Sequence, residues 1–324
     1  MTNHLSRLTI GLLFTIHMGS FFQLFAQEPV KLFSSEKVSY SIQFKNEIPS
    51  YKVMGVFIIP DEQIAIQIVG DEKTDTYEIY LSGGSITSLD KNEWRFQPPQ
   101  NPGLYPITII RSAMQDSMIL NVFVMVPYKE LKGEYLNGYR IGEYPTTLLN
   151  ELLIYSPPKG FIEVTKENED TFISPHFQLK SFVSKQDGDY PKYVVLRERL
   201  LLKLELILEK INEKGYACGT LHIMSGYRTP YYNKLIGNVK YSRHVWGGAA
   251  DIFVDVNPRD GMMDDLNQDG QINYHDAEII YDIIDKMYGR PFYEMFIGGL
   301  GWYRRTLSHG PFVHVDVRGF RARW

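Results

Sequence analysis

The sequence predicts an α+β protein in which an all-β segment precedes a domain of helices and mainly antiparallel strands. Short runs rich in β-branched and aromatic residues, separated by turn-forming Pro, Gly, Asn and Asp, fill the chain between residues 38 and 126. An apolar stripe with helical periodicity follows at residues 196–214, and Gly215 ends it. Further strands are expected at 220–224, 251–256, 295–297 and 312–317. Helices and strands in this order are typical of the α+β class.

The N-terminal β segment spans residues 27–127 and predicts an immunoglobulin-like sandwich. Its strands are expected at 38–44, 51–59, 63–69, 74–81, 105–111 and 118–126. Six or seven strands at this spacing in roughly 100 residues are typical of such sandwiches. The segment holds no cluster of His, Asp or Cys at metal-ligand spacing, which favours a spacer or docking role.

A connector rich in Gly, Pro and Tyr is expected at residues 128–173. Four tyrosines give it aromatic surface to bury, so we expect an ordered segment that packs on the next domain: Tyr135, Tyr139, Tyr144 and Tyr155. That C-terminal domain extends over residues 174–324. Two domains agree with a length of 324 residues.

The composition and charge of the chain argue against nucleic acid as a partner and against stabilisation by intramolecular disulfides. The chain is 44% hydrophobic and 22% charged, which is typical of a globular protein. Its net charge of −4 argues against nucleic acid binding, because no basic excess is present to neutralise phosphates. Cys218 is the only cysteine, so no intramolecular disulfide can form and an apolar core must hold the fold.

The first 26 residues have the pattern of a secretory signal peptide. Arg7 supplies the basic start, residues 8–16 are mostly apolar, and cleavage is expected before Gln27. An uncleaved N-terminal anchor is the alternative, although the apolar run is short for a span of about 20 residues. No second candidate span follows. We therefore expect an exported protein, periplasmic or associated with the cell envelope, without a membrane span in its mature form.

Two separated segments contain possible metal ligands, and the first holds His244 and Asp251. Their spacing of seven residues would separate the two side chains by about 10 Å along a helix axis. Because zinc is bound at about 2 Å, both can bind the same ion only if the chain turns between them. Gly247 and Gly248 allow that turn, and a strand then begins at Asp251.

The second segment, residues 312–318, alternates polar and apolar side chains. As a strand it places His314, Asp316 and Arg318 on one face, opposite three valines. Two histidines and one carboxylate from separated segments form the ligand set of a catalytic zinc site with one open position. The alternative is that His244 and His314 are unrelated histidines, each satisfied by other contacts.

Three motifs resemble those of the zinc D-alanyl-D-alanine carboxypeptidases and their relatives, which cleave peptidoglycan peptides. They are SGYRTP at 225–230, the pattern Ser-x-His-x-x-Gly-x-Ala-x-Asp at 242–251, and FVHVD at 312–316. This family shares its fold with lysostaphin-type endopeptidases and the hedgehog signalling domain, and the resemblance covers residues 174–324. It implies a hedgehog/D-Ala-D-Ala-peptidase-like domain with zinc held by His244, Asp251 and His314.

The resemblance also implies contacts with the substrate. It implies that Arg228 binds a carboxylate of the stem peptide. The bidentate geometry of guanidinium with carboxylate makes this chemically reasonable. We also predict that Arg228 is a catalytic residue and that Tyr227 and Ser242 help to bind the substrate. The alternative for Arg228 is a turn residue that pairs with a nearby acid.

Two residues are candidates for the general base that the reaction needs. One branch of the family places Glu or Asp three residues before the last ligand, and Pro311 occupies that position here. His309 matches the accessory histidine of other relatives, and Asp316 is the other candidate. We predict that His309 acts as base or transition-state stabiliser, with Asp316 orienting or sharing the proton. A loop histidine without a catalytic role is the alternative for His309.

Residues 265–276 match the twelve-residue calcium loop position by position, with Gly270 at the sharp turn. The expected oxygen ligands come from five side chains and one backbone carbonyl: Asp265, Asn267, Asp269, Asn273 and Asp276, and the carbonyl of Gln271. Asp at position twelve resembles dockerin repeats, but a single copy does not predict cohesin binding. We expect a helix at 277–288 and a calcium-rigidified loop beside the active-site groove. An exposed acidic loop is the alternative.

The primary hypothesis from the sequence is an exported zinc metallopeptidase of carboxypeptidase or endopeptidase type. It would hydrolyse peptidoglycan stem peptides or cross-links by zinc-activated water, with zinc and calcium as cofactors and peptidoglycan peptides as partners. A non-catalytic zinc-stabilised domain that binds cell wall or protein is the leading alternative, and a calcium-dependent adhesion or scaffold protein is a third. The cleaved bond, the oligomeric state and the role of the N-terminal sandwich stay open.

Overall fold

The computed structural model describes residues 33–70 and 75–324. The predicted signal peptide lies outside these residues, so the signal and the expected export stay predictions. Within the described residues, no helix is both long and apolar enough to cross a membrane. All of the described residues fall in one compact unit.

Eight strands of the N-terminal part build two four-stranded sheets. They are β1 Ser41–Phe44, β2 Val53–Ile58, β3 Ile64–Val69, β4 Tyr77–Leu81, β5 Ser85–Asp90, β6 Glu93–Gln97, β7 Gly103–Arg111 and β8 Asp116–Val124. The strand orders are β1-β3-β6-β5 and β2-β8-β7-β4, and only the β2–β8 pair is parallel. The predicted all-β character is therefore present, whereas the immunoglobulin-like topology stays a prediction.

The connector and the residues that flank it, 126–194, contain seven short strands. They are β9 Val126–Pro127, β10 Tyr135–Leu136, β11 Tyr139–Arg140, β12 Gly160–Val164, β13 Phe172–Ser174, β14 Phe177–Gln178 and β15 Lys192–Val194. Three of the four connector tyrosines are buried as expected, and the fourth, Tyr135, is 48% exposed. The rings of Tyr144 and Tyr155 pack edge-on against Trp246, at 5.9 and 5.2 Å between ring centroids. The connector therefore packs against the 242–251 segment through these contacts with Trp246.

The C-terminal part combines three helices with a five-stranded sheet. Its elements are α1 Glu198–Glu213, β16 His222–Ser225, α2 Pro230–Leu235, β17 Ala249–Phe253, α3 Tyr274–Asp285, β18 Gly299–Tyr303, β19 Phe312–Asp316 and β20 Ala322–Arg323. The strand order is β16-β17-β19-β18-β20, antiparallel except for β18 with β20. The predicted α+β class is thus confirmed. The strand expected at 295–297 is wrong, because Pro291–Phe296 forms a 3₁₀ helix and the strand begins at Gly299.

Polar contacts join the N-terminal sheets directly to helix α1. Glu198 Oε1 accepts hydrogen bonds from Lys45 Nζ at 2.6 Å and from the Phe57 backbone N–H at 3.0 Å. Farther along α1, Glu209 accepts from Lys37 and from the Tyr51 hydroxyl. Because Glu198 is only 12% exposed, its carboxylate is screened little by solvent and holds the two parts together.

Removal of the Glu198 carboxylate is expected to destabilise the protein. Glu198→Ala leaves the Lys45 ammonium and the Phe57 N–H without their acceptor, which should lower the free energy of unfolding by about 1–3 kcal/mol. Urea denaturation measures the change. Glu213→Ala at the other end of α1 is the matched control, because that exposed pair with Lys210 should contribute less than about 1 kcal/mol. Equal effects of the two variants would contradict the structural role of Glu198.

Candidate metal centre

Three buried side chains converge on the C-terminal sheet. His244 lies in the 3₁₀ helix Arg243–Trp246, Asp251 lies in β17, and His314 lies in β19 directly opposite Asp251. One ligand atom from each lies within 4.8 Å of the others. Across residues 33–70 and 75–324, no other group of three His, Cys, Asp or Glu residues has this property. The structure therefore brings together the three residues that the sequence predicts as metal ligands.

Glycine allows the turn that joins His244 to Asp251. Gly247 follows the 3₁₀ helix with φ of +62°, in the left-handed region. A Cβ there would lie 2.1 Å from the Val195 carbonyl oxygen, so no other residue fits. The chain then enters β17, and its pairing with β19 places Asp251 beside His314. The predicted turn is confirmed.

The hydrogen bonds of the two histidines leave one ring nitrogen of each facing the centre. His244 Nδ1 lies 2.7 Å from the Gly226 carbonyl oxygen, to which it donates. Its Nε2 lies 3.2 Å from Asp251 Oδ1 and 3.2 Å from His314 Nδ1. His314 Nδ1 lies 2.8 Å from the same Asp251 oxygen, while its Nε2 faces Asp316 Oδ2 at 3.3 Å. His244 thus offers Nε2 to a metal, and His314 offers Nδ1.

The electrostatic environment favours the metal-binding protonation state of His244 and Asp251, whereas Asp251 and Asp316 outweigh burial and raise the pKa of His314. Burial lowers the pKa of His244, which favours the neutral ring. Burial alone would raise the pKa of Asp251, but His244 and His314 outweigh it and hold this pKa well below its usual range. A neutral imidazole and an ionised carboxylate are the forms in which these groups bind cations.

Asp316 lies behind His314 and is fully buried. Its Oδ1 accepts from the Gly299 backbone N–H at 2.8 Å, and the guanidinium of Arg318 contacts both oxygens. Lys203 Nζ, buried beneath the sheet, donates to the backbone carbonyl of Asp316 at 2.7 Å. These partners suit the orienting role that the sequence suggested for Asp316, and its role in sharing the proton stays a prediction.

Arg228 lies beside the acid of the cluster. Its Nη2 donates to Asp251 Oδ2 at 2.6 Å, and its Nε donates to Ser225 Oγ at 2.8 Å. The sequence offered the alternative that Arg228 pairs with a nearby acid, and this contact is present. The acid is Asp251, one of the predicted metal ligands. A role of Arg228 in substrate binding stays a prediction.

The other two predicted substrate residues differ in their surroundings. Tyr227 is 1% exposed, and its hydroxyl lies 3.0 Å from that of buried Tyr144. Its ring thus belongs to the core beneath the turn, and its role in substrate binding stays a prediction. Ser242 precedes the 3₁₀ helix of His244 and is 9% exposed, and its role stays a prediction.

His309 lies on the loop before β19 and is partly buried. Its Nδ1 lies 2.8 Å from the Gly310 carbonyl oxygen, and its ring packs edge-on against Phe312 with centroids 4.9 Å apart. Among the described residues it makes no hydrogen bond with the three clustered side chains. The structure therefore does not bring His309 into the cluster, and its role as base stays a prediction.

Two aromatic residues beside the cluster were not predicted from the sequence. The ring of Trp324 lies 5.3 Å from that of His314, and its Nε1 donates to the Tyr303 hydroxyl at 2.5 Å. Alternation along GLGWY at 299–303 was the signal that could have found Tyr303, since it shares a face with Gly301. Two glycines hide that strand from a propensity-based prediction.

The predicted calcium loop folds around hydrogen bonds from its own backbone. Asp265, Asn267 and Asp269 each accept from loop N–H groups, and Gly270 has the expected positive φ of +82°. Asn273 and Asp276 form a capping box that starts α3 at Tyr274, three residues earlier than predicted. Gln271 is exposed in the same loop. The three loop carboxylates do not gather as closely as the buried cluster does, and calcium binding stays a prediction.

Mutation of Asp316 is expected to weaken zinc binding without abolishing it. Asp316→Asn keeps the shape of the side chain but removes the charge that orients His314, which should reduce zinc affinity by about 10–100-fold. Competition with a chromophoric chelator measures the affinity, and thermal unfolding checks that the variant folds. Unchanged affinity in a folded variant would show that Asp316 does not support the metal ligand.

Calcium is expected to stabilise the protein if the loop binds it. A ligand that binds only the folded state adds about 2.7 kcal/mol at 100 times its Kd, so the melting temperature should rise on addition of calcium chloride. Asp265→Ala should abolish the rise, whereas Glu294→Ala, outside the loop, should retain it. If calcium chloride does not change the melting temperature of the wild type, the predicted calcium binding by the loop is contradicted.

Comparisons with known proteins agree with part of the sequence resemblance. The family model for Peptidase M15 matches residues 175–270, which include Arg228, His244 and Asp251 but not His314. No curated protein matches the chain. Among solved structures, the crystal structure of the titin M3 domain matches at 13% sequence identity, over 26% of this chain and 98% of the titin domain. The TM-score of this match is 0.18, which is too low to indicate a shared fold. The chain thus contains a segment that matches the Peptidase M15 family and carries two of the three clustered side chains.

Proposed function

We propose that this protein is a zinc metallopeptidase that hydrolyses peptidoglycan stem peptides or cross-links, as a D-Ala-D-Ala carboxypeptidase or endopeptidase. We propose further that it is exported and acts in the periplasm or at the cell envelope. The observation that carries the proposal is the buried convergence of His244, Asp251 and His314, two of which lie in the Peptidase M15 match.

The donor set fits zinc. Two imidazole nitrogens and one carboxylate oxygen form a three-ligand set that leaves a fourth position open, as catalytic zinc sites do. Each ligand also has a supporting partner, which is the Gly226 carbonyl for His244, Arg228 for Asp251 and Asp316 for His314. When bound, zinc lowers the pKa of water and polarises a carbonyl group.

Positive charge next to the cluster suits an anionic peptide. Arg228 uses Nε and Nη2 for Ser225 and Asp251, and within the described residues its Nη1 makes no hydrogen bond. The backbone N–H of Tyr227, the residue before Arg228, donates to the carbonyl of Phe182. Lys185 lies three residues after Phe182 on the same segment. Burial and then the charge of Arg228 lower the pKa of Lys185, so the two cations share one region. We propose that they bind a carboxylate of the stem peptide.

A non-catalytic zinc-stabilised binding domain is the second candidate. One observation favours it, namely that His309 hydrogen-bonds within its own loop instead of with the cluster. In this alternative the protein holds zinc and binds peptidoglycan, but cleaves nothing. Cleavage and binding are therefore measured separately.

Digestion of purified peptidoglycan sacculi tests the proposal. The zinc-loaded wild type should release fragments whose masses identify the cleaved bond, and His244→Ala should release at least about 100-fold less because a ligand is missing. His275→Ala, an exposed histidine on α3, is the matched control and should behave as wild type. Zinc content is measured for all three proteins.

The outcomes separate the two candidate functions. Zinc-dependent fragments support the peptidase. Zinc that is retained by the wild type together with sacculus binding, but without fragments, contradicts the peptidase and supports the binding domain. A wild type that retains no zinc contradicts both.

A further inference from the structure

One face of the C-terminal sheet carries both the cluster and an unassigned tyrosine. In the pairing of β18 with β19, Gly301 lies opposite His314 and Tyr303 lies opposite Phe312. Directly opposed residues of antiparallel strands point to the same side, and so do residues two apart on one strand. Tyr303 therefore projects from the same face as His314, one step along the sheet.

Trp324 lies across that face because the residue opposite His314 is a glycine. A Cβ at Gly301 would lie 2.4 Å from the Trp324 indole nitrogen, so any side chain there would displace the indole. Arg318, which holds Asp316, also lies over the indole at 5.3 Å from its ring. The indole is thus fixed between Gly301 and the groups that orient His314.

The indole in turn fixes the hydroxyl of Tyr303. Trp324 Nε1 donates to the Tyr303 hydroxyl at 2.5 Å, and the Tyr303 ring stacks on Phe312 at 4.5 Å with an angle of 8° between the planes. The hydroxyl therefore lies against the indole nitrogen, which itself lies over Gly301, and the indole ring is 5.3 Å from the His314 ring. Because an indole N–H only donates, the phenol keeps its own proton for another acceptor. Among the described residues no acceptor for that proton is present.

The hydroxyl also lies within the electrostatic influence of the cluster. Burial raises the pKa of Tyr303, and the charges of Asp251 and Arg228 act on it as well. The phenol is therefore a neutral donor at the pH at which peptidases work. It is partly exposed, so a bound peptide can reach it.

We propose that Tyr303 is a further catalytic residue, whose O–H donates a hydrogen bond to the scissile carbonyl oxygen as that oxygen gains negative charge. Trp324 is a positioning residue that acts through Tyr303. The phenol remains protonated throughout, so no proton is transferred and no bond of the protein breaks. The proposal rests on the proposed peptidase function. A preorganised donor of this kind changes kcat by about 100–1,000-fold in other enzymes.

Steady-state kinetics on soluble muropeptides released from sacculi test the role of Tyr303. Tyr303→Phe keeps the ring on Phe312 and removes only the hydroxyl, so kcat should fall by about 100-fold while KM changes less than about threefold. Zinc content should stay at the wild-type value. Tyr80→Phe is the matched control, since Tyr80 is 56% exposed on β4 of the N-terminal sheets, and it should leave kcat unchanged.

A double-mutant cycle tests the role of Trp324. Trp324→Phe keeps an aromatic ring over Gly301 but removes the N–H that positions the phenol, so kcat should fall by a smaller factor than in Tyr303→Phe. The double variant Tyr303→Phe with Trp324→Phe should be no slower than Tyr303→Phe alone, because the indole acts only through the hydroxyl. If the decrease in kcat of the double variant equals the product of the two single decreases, the positioning role of Trp324 is contradicted.

The remaining outcomes distinguish this inference from the proposed function. If the wild type cleaves muropeptides and Tyr303→Phe retains kcat within twofold, the role of Tyr303 is wrong and the peptidase stands. A rise in KM alone, or a loss of zinc from Tyr303→Phe, also overturns the catalytic role, because it indicates ground-state binding or structure. A wild type that cleaves no peptide overturns the peptidase and the role of Tyr303 together.

Discussion

The register between β17 and β19 is the constraint on which the candidate centre depends. It sets Asp251 directly opposite His314, so that one carboxylate oxygen lies 2.8 Å from the ring nitrogen that faces the centre. A slip of one residue would turn one of the two side chains to the other face of the sheet. The neighbouring pairs of the same strands are small or β-branched apolar residues, and their burial between the sheet and the helices fixes that register.

The supporting contacts of the centre come from well-separated parts of the chain. The connector packs Tyr144 and Tyr155 against Trp246 and so holds the 3₁₀ helix of His244. Helix α1 reaches the back of β19 through Lys203, and the same helix receives the N-terminal sheets through Glu198. The β-rich N-terminal part is therefore joined to the element that lies behind the cluster. This favours a structural contribution from that part, beside the docking role that the sequence suggested.

The sequence predicted which three side chains cluster because the pattern that brings them together is local. The seven-residue spacing required a turn, two glycines allowed it, and alternation in the second segment placed His314 on a polar face. The sequence did not predict the directions of side chains that depend on packing. Tyr227 sits in the motif with Arg228, yet its ring points into the core, and Asp316 alternates with His314 but is enclosed by Arg318 and Gly299.

Strands without an apolar pattern were the main omissions in the fold. The nearly fully exposed β5 reads SITSLD, and β18 contains two glycines, so neither has the β-branched alternation that indicates a strand. Because β18 was not predicted, the positions of Tyr303 and Trp324 beside Gly301 were not predicted either. The position of His309 could not be predicted either, since the loop before β19 is fixed by its own hydrogen bonds and by Phe312.

Anomalous diffraction at the zinc absorption edge, from crystals of the zinc-loaded protein, tests the central claim most directly. The account predicts one strong peak bounded by His244 Nε2, an oxygen of Asp251 and His314 Nδ1, with Asp316 still bonded to the opposite nitrogen of His314. A peak elsewhere, no peak at these residues, or coordination through His314 Nε2 would contradict it.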